Sequence, residues 1–182
     1  MTYIEKMHET VNDALETHKR VSAQEAGLKA DYEGGEIGSN AYKEKTLEAR
    51  QERAEAVREA MDAIDLIAEE YAEAATKADA VSGEMINGDF KLLSAGFELT
   101  PAQFADMASR NAGNRLVLLQ MREYAAQRPE KYDLSTLPAP LEERITAFGQ
   151  FANNARNAVA NPDSLASAFF VEGNCDPAIC VE

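Results

Sequence analysis

Apolar residues in the first third of the chain recur at alternating three- and four-residue steps. Ile4, Met7, Val11, Ala14, His18, Val21, Leu28 and Tyr32 form one such row over residues 2–32, interrupted only at Glu25. This is heptad spacing, the pattern that sets one face of a helix against another helix. Gly34, Gly35 and Gly38 then break the helix, and Ser39 or Asn40 can cap the next. A second helix is expected from about 40 to 80. Leu47, Ala54, Met61, Ala68 and Ala75 form one of its rows, and Arg50, Val57, Ile64, Tyr71 and Ala78 the other. A short loop between two long striped helices predicts an antiparallel hairpin. Folding at the glycines brings Val21 near Ala54, Val11 near Met61 and Ile4 near Ala68. The second helix outlasts the first, so its end needs cover from elsewhere in the chain.

The periods shorten after residues 81–88. Asp89 can cap a short helix carrying Phe90, Leu92, Leu93 and Phe97. Thr100-Pro101-Ala102-Gln103 spells out a helix start: threonine as cap, proline at the first position, glutamine closing a capping box. Asn114 opens another helix with Leu116, Val117, Leu118, Leu119, Met121 and Tyr124. Residues 129–140 hold three prolines and read as a loop. Leu141 to Ala160 is a further helix with Ile145, Phe148, Phe151, Ala155 and Val159, and Asn161-Pro162 starts a last short one through Phe169 and Phe170. The expected fold is therefore all-α: a coiled-coil-like hairpin over 1–80, a compact module of four or five short helices over 81–173, and a loose tail over 174–182.

Charge narrows the function. The 182 residues hold 32 acids against 18 bases, a net charge of −14. Such a surface repels phosphate, which disfavours generic nucleic-acid or anionic-membrane binding and favours a basic partner. There is no tryptophan and only 7% aromatic residues, which argues against a base-stacking platform. No stretch approaches the roughly 18 apolar residues of a membrane span. The N-terminus resembles no targeting segment, and Cys175 and Cys180 cannot frame a disulfide scaffold, so a cytoplasmic chain with reduced thiols is expected.

Candidate chemistry is sparse. His8 and His18 do not have zinc-binding spacing and read as structural residues. The two cysteines lack further ligands, so neither a metal nor a cofactor is expected. No phosphate-binding glycine loop and no nucleophile motif occurs, so the chain reads as a non-enzyme. The strongest feature is acidic. From Glu59 to Thr76 there are six acids and no base. Asp62, Asp65, Glu69 and Glu73 recur at helical steps along one side, with Glu70 beside them. A rigid row of this kind suits a positively charged groove, although a plain solvated face has the same pattern. Residues 101–127 pair two helices around Asn111–Asn114, a corner in which Arg110, Arg115 and Arg122 could meet DNA phosphates. That segment carries little net charge, and a plain helical corner explains it as well.

Two segments, GGEIGSNAYKEK (34–45) and KLLSAGFELTPAQFADMASRNAGNRLVLLQMREYA (91–125), together resemble small helical proteins of phages and prophages of Gram-positive gut bacteria. Size, acidity and helical make-up are similar to type II anti-CRISPR proteins. The resemblance implies a protein of the host bacterial cytoplasm that binds the CRISPR effector nuclease, and the charge pattern of the second helix makes Asp62, Asp65, Glu69, Glu70 and Glu73 the expected contact row. That nuclease holds nucleic acid in positively charged channels, which an acidic rod could block. The alternative is a phage structural or assembly protein, scaffold-like or virion-associated. A homodimer is left open, because the heptad seam can be satisfied within or between chains.

Overall fold

The computed structural model describes residues 1–80, 85–132, 134, 137–164, 167–168 and 170. Among these the secondary structure is wholly helical: α1 (Tyr3–Glu33), α2 (Ser39–Ala78), α3 (Gly88–Ser94), α4 (Pro101–Arg110), α5 (Arg115–Ala126) and α6 (Leu141–Ala160). The chain forms two compact units, one of residues 1–71 with 148–182 and one of residues 72–147. This partition differs from a boundary at residue 80. The second half of α6 belongs with the hairpin, not with the short helices.

In the first unit, α1 and α2 run antiparallel. Lys6 pairs with Glu70 at 3.1 Å, Arg20 with Glu52 at 2.5 Å, and Glu25 with Arg53 at 2.5 Å and Arg50 at 3.4 Å. Partner numbers fall on α2 as they rise on α1, in a register close to the one the apolar rows imply. Thr2 caps α1 in a full capping box with Glu5. The turn is made by Gly35 at φ +78°, a left-handed conformation that glycine adopts without a Cβ clash. α2 begins at Ser39 itself, so neither Ser39 nor Asn40 precedes it as a cap.

The seam of α1 keeps its heptad: Met7, Ala14, Val21 and Leu28 are all buried. That of α2 does not. Leu47 is 58% exposed, and Arg50, Ala54 and Ala78 also face out. The buried residues are Ala49, Ala60 and Tyr71, eleven apart, with Ile64 and Ala75, again eleven apart, and Ile67. A heptad row drifts about 20° per repeat around a straight helix. An eleven-residue repeat averages about 3.67 residues per turn and stays on one side of a straight helix as long as α2.

Residues from α6 cover the hairpin in this unit. Phe148 stacks on Tyr71 with centroids 3.9 Å apart, and Tyr3 meets Tyr71 edge-on at 5.8 Å. Phe151 and Phe170 stack at 4.9 Å, and His8 lies against both. This aromatic cluster covers the part of α2 that still faces α1, through Tyr3 and His8, rather than the end of α2 beyond it.

The second unit has its own core of Leu93, Phe104, Met107, Val117, Met121, Tyr124, Ala125, Tyr132 and Leu137. The capping box of Thr100 and Gln103 is present, and Asn114 caps α5 by accepting from the Val117 N–H. Asn87, not Asp89, caps α3. Asp89 lies inside the first turn, where its carboxylate instead accepts from Arg110 Nε and Nη2, each at 2.8 Å. Tyr124 donates to the Phe97 carbonyl at 3.0 Å, and Tyr132 to the Leu99 carbonyl at 2.6 Å, which pins the loop ahead of α4.

Candidate functional site

The acidic row lies on α2, and the structure divides its members by what holds them. In the first unit Asp62, Asp65 and Glu69 are exposed and Glu70 is half-buried; Glu73, also exposed, belongs to the second unit. Arg156 of α6 reaches Asp65, its Nε 2.8 Å from the carboxylate. Lys6 of α1 takes Glu70. Asp62, Glu69 and Glu73 make no ion pair with any described residue. Two of the five carboxylates therefore help close the fold, and three remain on the solvent side. Leu66 is 56% exposed and stands among them, with acids three, four and seven positions away on its own helix. Periodicity alone passed over this residue, because it belongs to neither apolar row.

Glu25, the polar interruption of the α1 seam, is answered across the hairpin. Desolvation pushes its carboxyl up, but the hydrogen bonds and charges of Arg53 and Arg50 outweigh this and hold it below the usual range. Ser22 accepts a further bond from Arg53 at 3.3 Å. His18 lies 3.4 Å from the Ser22 hydroxyl, on the wall of a half-open hollow of about 410 Å³ lined also by Leu15, Lys19, Asp163 and Ser164. His8 and His18 do not meet, and no group of three or more potential metal ligands occurs among the described residues.

The arginines of residues 101–127 are all engaged within the second unit. Arg110 binds Asp89 and Asp106, each at 2.8 Å. Arg122 reaches Glu143 at 3.4 Å and the Leu137 carbonyl at 3.5 Å. Arg115 is ion-paired with Asp79. Hydrogen bonds from Arg110 first, and then from Asn111, hold the Asp89 carboxyl below the ordinary aspartate value. Each of the three guanidiniums thus has a carboxylate partner within the unit. Sequence reasoning missed the centre of this set. Asp79 also pairs with Arg144 at 2.7 Å, and the side chains of Asp79 and Arg144 are only 9% and 3% exposed. Arg144 carries no warning in the sequence, because it sits in the first turn of an amphipathic helix where a solvated arginine looks the same.

Cys175 and Cys180 lie outside the described residues. Among the described residues no helix is long and apolar enough to cross a membrane. No protein-family model, curated protein or solved structure compared with the chain matches it.

Proposed function

We propose that this chain is a non-catalytic binding protein that presents an acidic helix face to a basic nucleic-acid-handling protein. The single observation behind this reading is the state of Asp62, Glu69 and Glu73. They project from one long helix, exposed, and no cation among the described residues pairs with them. Like charges at helical steps repel by a few tenths of a kcal/mol per pair, a cost that a positive surface would remove on docking. Together with the resemblance of residues 34–45 and 91–125 to small helical phage proteins, and of the chain's size, acidity and helical make-up to type II anti-CRISPR proteins, the finer reading is an inhibitor of the RNA-guided nuclease of type II systems. It would act by occupying a channel that otherwise holds nucleic acid.

The test is a DNA-cleavage assay with a purified, guide-loaded type II nuclease. The unaltered chain is expected to stop cleavage, and D62K/E69K/E73K to lose that effect while keeping its helical circular dichroism. Undiminished inhibition by the triple variant would remove the acidic row from the mechanism, and no inhibition by the unaltered chain would remove the nuclease.

A second reading, a phage structural or assembly protein, is favoured by the exposure of Leu47 and Leu66 on α2, which suits lateral association of hairpins. Light scattering of the purified chain, alone and with a capsid protein, distinguishes the two. Self-association or co-assembly supports this reading, and a monomer that ignores the capsid protein opposes it.

A further inference from the structure

The geometry points to an oxyanion site of phosphate type at Arg115 and Arg144, independent of the acidic face. Both guanidiniums converge on one carboxylate, that of Asp79. Among the described residues no other acid pairs with either. The cluster therefore holds an excess positive charge in a place where the Arg144 side chain is 3% exposed. An uncompensated buried charge is strongly unfavourable, so a further anion is the natural complement.

Three details give the site its chemistry. Arg144 makes one hydrogen bond, from Nε to the Ala139 carbonyl at 3.2 Å, while its buried Nη1 has no acceptor. Arg115 is the first residue of the twelve-residue α5, and Arg144 lies in the first turn of the twenty-residue α6. Helix N-termini add positive potential and favour tetrahedral oxyanions. Finally, the Arg115 side chain is 22% exposed, which gives an anion a way in from solvent. Planar guanidinium forks match phosphate geometry, and a single carboxylate cannot saturate two of them.

The probe is inorganic phosphate, titrated against chloride at equal ionic strength. The unaltered chain is expected to show a saturable rise in Tm, about 3 °C at ten times the Kd, and broadening of the phosphorus NMR line. R115Q leaves Asp79 and Arg144 as a one-to-one pair, so its Tm is expected to be indifferent to phosphate. No saturable rise in the unaltered chain, or an equal rise in R115Q, overturns the site. Should R115Q fail to fold, the phosphorus line of the unaltered chain decides. Broadening reversed by sulfate but not by chloride supports the site, and a line that stays sharp, or one that sulfate leaves broadened, overturns it.

Discussion

Asp89 shows how one carboxylate can be legible in kind and wrong in role. Its place before an apolar run suggested a cap, yet Asn87 performs the capping and Asp89 is free to grip Arg110. Its lowered pKa gives a testable sign. The folded chain keeps Asp89 charged where an unfolded aspartate, near 3.9, already takes up a proton. Its stabilisation is therefore complete above roughly pH 5 and is lost as pH falls through the lowered folded value. D89N should cost about 1 kcal/mol at neutral pH in urea unfolding, and the gap from the unaltered chain should close as pH approaches 2. A constant gap would show that charge is not what Asp89 contributes. Asp79 belongs to a different regime, because its partners are more deeply buried. D79A strands two guanidiniums and should lower stability by about 3–5 kcal/mol in phosphate-free buffer, measured by urea unfolding.

At the level of elements, boundaries are set by local chemistry and faces by long-range packing. The Thr100–Gln103 box satisfies N–H groups that the helix itself leaves unpaired, so its outcome depends on four adjacent residues and little else. T100A should cost about 1 kcal/mol, lowering Tm by about 2–4 °C by circular dichroism. The face of α2 obeys a different rule. Alanines recur so often in that helix that heptad and eleven-residue rows can both be drawn through it, and the bulky residues Ile64 and Tyr71 fall on either. The choice is made by what each candidate row meets. Phe148 stacks on Tyr71, and Leu47, with no such partner, is left facing water.

For the whole molecule, a net charge of −14 sets the terms of any encounter. Exposed charge pairs are screened beyond about 8 Å at physiological ionic strength. Binding through Asp62, Glu69 and Glu73 should therefore weaken at least tenfold between 50 and 500 mM NaCl, with most of the loss in the association rate. Calorimetry or surface-based kinetics with the partner would show it, and a salt-independent Kd would mean that apolar contacts such as Leu66 dominate instead. The same acidity leaves Arg156 and Lys6 as internal fasteners. They draw Asp65 and Glu70 out of the free row, and so define which carboxylates remain for others.

The residues themselves determined the helical class, most helix starts and stops, the antiparallel hairpin and the acidic stretch. Those properties rest on spacing, capping and charge over a few turns, which are local quantities. Only the tertiary structure decided that the second half of α6 packs with the hairpin, that α2 buries an eleven-residue row, that two of five acids are internally paired, and that Asp79 gathers Arg115 and Arg144. Each of these joins residues more than twenty positions apart, and no local pattern distinguishes an arginine bound for solvent from one bound for a buried carboxylate.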